Sequence, residues 1–219
     1  MNPEPIAIST AGVSGLVIAP PNPWAAYVLA HGAGAGMRHP FMATIADLLA
    51  ERGIATLRYQ FPYMEHGGGR PDPPEVARGT VRAAVAAARE RFGPLPVFAG
   101  GKSFGGRMTS QAESDQPLGV RGLAFLGFPL HPPNKPGVAR AEHLDLVRVP
   151  MLFLQGTRDE LADLDLIRQV GTRLGAGSTI HVVEGADHSF AVLKRSGRTN
   201  PEAMVELAET LAGWARPLA

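Results

Sequence analysis

Cysteine is absent from the 219 residues of this chain, and its absence excludes several kinds of chemistry. Without cysteine the protein can form no disulfide, no thiolate nucleophile and no cysteine-based metal site. No apolar run approaches the roughly 18 residues that would suggest a membrane span. The amino terminus also lacks a basic region followed by an apolar stretch, so no secretory signal is evident. We therefore expect a cytoplasmic protein with no membrane partner.

An excess of either charge is missing as well. The formal net charge is +1, and no stripe of lysine and arginine occurs, which argues against nucleic-acid binding. A hydrophobic content of 45% with 19% charged residues is ordinary for a soluble globular enzyme. The length allows one full-sized core and is short for two. We expect a single domain over residues 1–219.

Apolar runs alternate with helical patterns along most of the chain. An opening hairpin is expected at residues 6–9 and 15–18, followed by strands at residues 26–30, 54–59, 95–100, 122–128, 151–155 and 179–184. Helices are expected from residue 40 to about 52 and at residues 75–92, 104–114, 160–174 and 201–214. Continuous apolar strands separated by helices predict an α/β fold, with a mostly parallel central sheet flanked by helices. Ligands of such sheets bind at the carboxyl ends of the strands.

The most informative segment is the Gly-x-Ser-x-Gly pattern at residues 101–105. It follows a predicted buried strand and precedes a predicted helix, which is the context of a nucleophile elbow. In this turn a serine, here Ser103, is held clear of the sheet. Gly101 and Gly105 are needed because neighbouring backbone comes too close for a Cβ atom. Ser103 is therefore the candidate nucleophile.

Two later strand ends offer the partners that a serine nucleophile needs. Asp159 lies just beyond the predicted strand at residues 151–155, and His188 just beyond the strand at residues 179–184. The order serine, acid, histidine is the order found in this kind of sheet. Glu160 is a weaker acid candidate because we expect it to begin the next helix, where it complements the helix dipole. Asp187 is too close in sequence to His188 for the usual orienting hydrogen bond.

Acyl transfer also needs backbone donors for an oxyanion. The amide of Phe104, directly after the nucleophile, is one candidate. Ala33 or Gly34, in the glycine-rich loop after the strand at residues 26–30, is the second. A phosphate cradle is the alternative for this loop, but neither the dinucleotide-binding spacing nor a P-loop is matched.

Residues flanking the predicted site leave alternatives open. Phe61 and Tyr63 follow a strand at the same edge, where they form a pocket wall or anchor the loop. His131 follows another strand end and either lines the cleft or, as we favour, packs and hydrogen-bonds. Lys102 and Arg107 flank the elbow. We expect a buried ion pair there, and binding of an acidic substrate is the alternative.

The segments at residues 31–41, 58–63, 100–107, 128–133, 154–159 and 187–190 together resemble the α/β-hydrolase superfamily, in particular its small dienelactone-hydrolase-like members. They are also similar to a branch of short hydrolase-like proteins that includes a regulatory subunit of a chromatin acetyltransferase complex. The resemblance implies an α/β-hydrolase fold. Only residues 129–149 are available for a cap, so we expect a minimal cap and small, accessible substrates. Dienelactone hydrolases use a cysteine nucleophile, so lactone specificity is not carried over.

The sequence thus predicts a serine hydrolase of small carboxylic esters or thioesters, acting through Ser103, Asp159 and His188 with no metal and no cofactor. The alternative is an interaction module with the hydrolase fold but no activity, as the resemblance to the chromatin subunit implies. Natural substrate and oligomeric state are not indicated by any pattern in the chain.

Overall fold

The computed structural model describes residues 1–219 and contains one eight-stranded sheet in the order β1-β2-β4-β3-β5-β6-β7-β8. β1 and β2 form an antiparallel hairpin, β2 joins β4 antiparallel, and all other neighbours are parallel. The predicted α/β class with a mostly parallel central sheet is confirmed. The strands are β1 Glu4–Ile8, β2 Val13–Ile18, β3 Ala25–Ala30, β4 Ile54–Tyr59, β5 Val97–Lys102, β6 Leu123–Leu126, β7 Met151–Gly156 and β8 Ser178–Val183.

Six α-helices accompany the sheet and cover both of its faces. Apolar side chains of α1 and α6 pack on one face, and those of α3, α4 and α5 pack on the other. None of the helices is long and apolar enough to cross a bilayer. The helices are α1 Pro40–Glu51, α2 Pro62–Glu65, α3 Pro74–Phe92, α4 Phe104–Asp115, α5 Leu164–Leu174 and α6 Asn200–Ala215.

Helix α5 begins four residues later than the sequence pattern predicts. Asp163 is its N-cap, and the Asp163 carboxylate accepts the amides of Asp165 and Leu166. Before it, the amide of Leu161 donates to Asp159 Oδ1 at 2.8 Å. The amide of Ala162 also donates to the carbonyl of Asp159, so these residues form a turn, and the helix begins where Asp163 caps it. Glu160 accordingly does not begin the helix.

The segment expected to form a minimal cap packs closely against the body of the protein. It contains the 3₁₀ helix Ala139–Leu146, whose residues Ala141 and Leu144 are fully buried. His143 Nε2 lies 2.8 Å from the hydroxyl of Ser110 on α4, and Arg173 on α5 donates to the carbonyl of Ala141. The carboxyl edge of the sheet is thus left without a lid.

At the centre of the sheet, the turn from β5 to α4 passes very close to β3. A Cβ atom at Gly101, where φ is +149°, would lie 2.2 Å from the carbonyl oxygen of Ala30. A Cβ atom at Gly105 would lie 2.6 Å from the carbonyl oxygen of His31. The prediction that neither position has room for a Cβ is confirmed.

We predict that Gly105→Ala lowers the free energy of unfolding by about 1–3 kcal/mol or more, because the added methyl group must displace the backbone of β3. Gly79, exposed in the middle of α3 with open space around it, is the matched control. Gly79→Ala should raise the free energy of unfolding by about 0.5–1 kcal/mol, since alanine is the better helix former. Urea unfolding followed by circular dichroism measures both. Equal effects of the two substitutions would contradict this account of the turn.

Candidate active site

Ser103 occupies the sharp turn between β5 and α4, at the carboxyl edge of the sheet. Its backbone has φ +50° and ψ −115°, a sparsely populated conformation for a residue with a side chain, and one that costs about 1–3 kcal/mol. The amide of Ser103 donates to the carbonyl of Leu126 on β6. The turn is therefore fixed from β5, β6 and α4 together, while the hydroxyl faces the edge of the sheet.

A continuous chain of hydrogen bonds runs from this serine through a histidine to a buried carboxylate. His188 Nε2 lies 2.9 Å from Ser103 Oγ, and His188 Nδ1 lies 2.7 Å from Asp159 Oδ2. Asp159 follows β7, and His188 lies on the loop that follows β8. The Asp159 side chain is fully buried, and the imidazole is mostly so. The structure thus brings together the three residues that the sequence pattern selected.

Further donors fix the orientation of the Asp159 carboxylate. The side-chain amide of Gln155, at the end of β7, donates to Asp159 Oδ2, and the amide of Leu161 donates to Oδ1. Gln155 Oε1 in turn accepts the backbone amide of Phe128 at 3.1 Å. Gln155 is completely buried, and its two hydrogen bonds tie Asp159 to the loop after β6. The sequence pattern did not single out this glutamine, although it lies four residues before the acid.

The loop that bears His188 has its own internal support. Asp187 Oδ1 accepts the amides of Ser189 and Ala191 at 2.8 and 3.0 Å, so Asp187 shapes the loop and is not the acid partner of His188. Phe190 follows with φ +62°, and its ring stacks on that of Phe41 of α1. The loop is therefore held by its own hydrogen bonds and also by contacts from outside it.

Lys102 makes one of these contacts. Its Nζ donates to the main-chain carbonyl of His188 at 2.6 Å and lies within 6 Å of the rings of Phe41 and Phe190. Burial lowers the pKa of Lys102 to about 8, against the opposing effect of Asp159 and Asp187. The acceptor of Lys102 is thus a main-chain carbonyl and not a carboxylate, and the expected ion pair is not formed.

Arg107, on the first turn of α4, likewise has no ion pair. Its Nε is buried without a hydrogen-bond partner, and burial, assisted by the positive charge of Arg140, lowers its pKa. His143 is close enough to Arg107 to be affected by the same charge, and burial is the main cause that lowers the pKa of His143 to about 4. His143 is therefore neutral at physiological pH and serves as the hydrogen-bond partner of Ser110.

A cleft of about 360 Å³ opens over the Ser103 hydroxyl. Its walls are mostly small or apolar. No carboxylate lines it, and Lys102 is the only lysine or arginine among the lining residues. Nowhere in the protein are three or more histidine, aspartate or glutamate residues grouped so that they could hold a metal ion. The residues that line the cleft are Gly32, Ala33, Ala35, His39, Phe41, Met42, Lys102, Ser103, Leu161, His188 and Ser189.

Two of the three backbone amides expected to face an oxyanion remain available. Phe104 is the first residue of α4, so its amide has no acceptor within the helix. Ala33 lines the cleft beside Ser103. The amide of Gly34, in contrast, donates to the hydroxyl of Tyr63 at 2.8 Å. This bond removes Gly34 from the candidate donors and leaves Ala33.

Side chains at the end of β4 hold the glycine-rich loop rather than lining the cleft. Arg58 Nη1 donates to the carbonyl of Met37 at 3.2 Å, and Gln60 Oε1 accepts the amide of Met37 at 2.8 Å. Both backbone groups of one loop residue are therefore bound by side chains from the end of β4. With the bond from Gly34 to Tyr63, these contacts position the loop that contains Ala33.

None of the three residues predicted to shape the pocket lines the cleft. Phe61 is completely buried in the core, and its amide donates to the Nε2 atom of the buried His31. Tyr63 is bound to Gly34, as described. His131 Nε2 accepts the amide of Asp163 at 2.9 Å, which fixes the start of α5. The walls come instead from Phe41, Met42 and Leu161, which follow other strands.

The sheet, the strained serine turn and the order of the residues along the chain together define the α/β-hydrolase fold. The comparison with family models leads to the same result, since the model described as "Alpha/beta hydrolase domain" matches residues 23–216. This chain belongs to that family.

Solved structures share the fold over nearly the whole chain. A serine hydrolase homologue from Coxiella burnetii is 20% identical, with 100% of this chain and 99% of that chain covered and a TM-score of 0.74. A serine hydrolase described as lacking a lid, from Xanthomonas campestris, is 18% identical, with 98% and 95% covered and a TM-score of 0.76. A dienelactone hydrolase from Anabaena variabilis is 19% identical, with 99% and 98% covered and a TM-score of 0.75. At these identities the likeness concerns the fold.

We predict that Gln155→Leu lowers the free energy of unfolding by about 1–3 kcal/mol, because it leaves the buried amide of Phe128 without an acceptor. Gln111→Met is the matched control, since Gln111 Oε1 is buried and has no partner to lose. That substitution should change stability by less than about 0.5 kcal/mol. Chemical unfolding of both variants beside the unmodified protein gives the values. If Gln155→Leu leaves the free energy of unfolding unchanged, the bond to Phe128 does not stabilise the fold.

Proposed function

We propose that the protein is a serine hydrolase that cleaves carboxylic ester or thioester bonds of small substrates. The observation that carries the proposal is the unbroken hydrogen-bonded chain from Ser103 through His188 to Asp159, which opens directly into the cleft. A serine hydroxyl becomes a competent nucleophile when a positioned base takes its proton. Asp159 would orient His188 and stabilise the imidazolium that forms during the reaction.

The chemistry follows from this arrangement. Ser103 Oγ attacks the carbonyl carbon of the substrate while His188 Nε2 takes the hydroxyl proton. The negative charge that develops on the carbonyl oxygen is stabilised by the amides of Phe104 and Ala33. His188 then gives the proton to the departing alcohol or thiol, and an acyl group remains on Ser103. Water, activated by the same histidine, attacks the acyl group and restores the free hydroxyl. The mechanism requires neither a metal nor an organic cofactor.

The cleft supports a preference for small, apolar acyl groups. Its volume of about 360 Å³ is at the lower end of the usual range for small-molecule sites. Phe41, Met42 and Leu161 supply apolar walls, and no lid extends the cleft outward. The neighbours described as serine hydrolases agree with this class of reaction.

We predict that Ser103→Ala and His188→Ala each lower kcat by at least about 10⁴-fold on aryl esters, because nucleophile and base act as a unit. A panel of p-nitrophenyl acetate, butyrate and octanoate with the corresponding thioesters gives the rates. A fluorophosphonate probe, mapped by mass spectrometry, should label Ser103 and should fail to label the Ser103→Ala variant.

Ser189, which lines the same cleft, provides the control, and Ser189→Ala should retain both turnover and labelling. Full activity of Ser103→Ala, or labelling at another residue, would contradict the proposed nucleophile. If the unmodified protein neither turns over any ester or thioester nor reacts with the probe, the result favours an inactive interaction module.

A further inference from the structure

The residue before the nucleophile has a role that the proposed mechanism does not use. Lys102 Nζ donates to the main-chain carbonyl of His188 across 86 residues of sequence, and at 2.6 Å this hydrogen bond is short. Hydrogen bonds from an ammonium group are about twice as strong as neutral ones. The bond joins the nucleophile turn directly to the histidine loop, through the main chain of the residue that bears the imidazole.

The surroundings of this ammonium are polar on one side and aromatic on the other. From the loops after β7 and β8 it faces the negative charges of Asp159 and Asp187, and the imidazole of His188 belongs to the same loop. From α1 and the histidine loop it faces the rings of Phe41 and Phe190, at 5.8 and 5.5 Å from their centroids.

The remaining neighbours of the Lys102 ammonium carry no negative charge. From the end of β6 the ammonium faces Gly127, where an added Cβ would lie 3.0 Å from Nζ. His39 caps the start of α1 and lines the same cleft. The aromatic faces favour a cation, and no carboxylate binds it directly. The carbonyl of His188 is therefore the partner that orients Lys102.

We propose that Lys102 is a positioning residue, which in its charged form anchors the main chain of His188 and so keeps the imidazole in line between Asp159 and Ser103. The inference rests on the proposed function for its kinetic consequence. Side-chain bonds to Asp159 and Ser103 orient the ring, but they do not fix the backbone from which the ring extends. Lys102 supplies that constraint from the nucleophile's own strand.

The charge requirement gives a pH dependence with a definite sign. Because burial lowers the pKa of Lys102 from 10.5 to about 8, the anchoring charge is present below pH 8 and is lost as the pH rises through that value. Between about pH 8 and 10.5 the unfolded state binds more protons at this residue than the folded state. This residue's contribution to stability therefore rises with pH in that window. Deprotonation of Lys102 therefore does not unfold the protein above pH 8, and a loss of activity there cannot be explained in that way.

The test compares Lys102→Met and Lys102→Arg with the unmodified protein. Lys102→Met should lower kcat by about 10- to 100-fold, as expected for loss of one charge-assisted hydrogen bond, with a smaller effect on KM. The unmodified protein should lose kcat as the pH passes about 8, and Lys102→Met should lack this decline. Lys102→Arg should keep more activity than Lys102→Met and also lack the decline, because arginine stays charged. The exposed Lys135 is the control, and Lys135→Met should behave as the unmodified protein does.

A second measurement does not depend on turnover. The low-field proton resonance of His188 Nδ1–H, assigned by its loss in His188→Gln, should be sharp in the unmodified protein and broadened in Lys102→Met at pH 7. Unchanged kcat, an unchanged alkaline decline and an unchanged resonance in Lys102→Met would overturn the inference. If the unmodified protein is inactive on the ester panel, the proposed function fails. The resonance alone then decides whether Lys102 positions His188.

Discussion

The strained turn at Ser103 is the constraint on which the rest of the site depends. A serine at φ +50° is maintained only where the surrounding structure determines the backbone conformation on every side. Here β3 passes within contact distance of Gly101 and Gly105, and β6 accepts the amide of Ser103 itself. Strands β3, β5 and β6 therefore do more than form a core. Their pairing stabilises a conformation that the local sequence would not adopt by itself, and the direction of the Ser103 hydroxyl follows from it.

The partners of the serine come from separate loops, and cross-links between the loops bring them into register. Gln155 connects Asp159 to the loop after β6, and Lys102 connects β5 to the loop that bears His188. Each link joins a side chain at a strand end to a main-chain group or carboxylate of a neighbouring loop. Sites supported in this way hold catalytic geometry better than sites on unsupported loops.

The sequence predicted those features that depend on local pattern, and it was less informative about side-chain direction. The placement of Ser103, Asp159 and His188 after three strands follows from the motif and from apolar runs that end at one edge of a parallel sheet. The direction of Tyr63 depends on a hydrogen bond to Gly34, 29 residues away. The start of α5 depends on a hydrogen bond from the amide of Asp163 to His131, 32 residues away. Neither interaction leaves a periodic signal in the chain, so neither could be read from it.

The lack of a lid gives the glycine-rich loop greater importance. Enzymes that close a lid over the substrate exclude water and complete the oxyanion site in the same motion. In this protein residues 139–146, from the segment expected to form a cap, pack against α4 and α5. Arg58 and Gln60 instead bind both backbone groups of Met37, so the loop containing Ala33 is already ordered before substrate arrives. Donors fixed in advance incur no reorganisation cost when charge develops. In the proposed mechanism an open cleft supports acyl transfer because the loop, the serine turn and the histidine loop are each tied to the sheet.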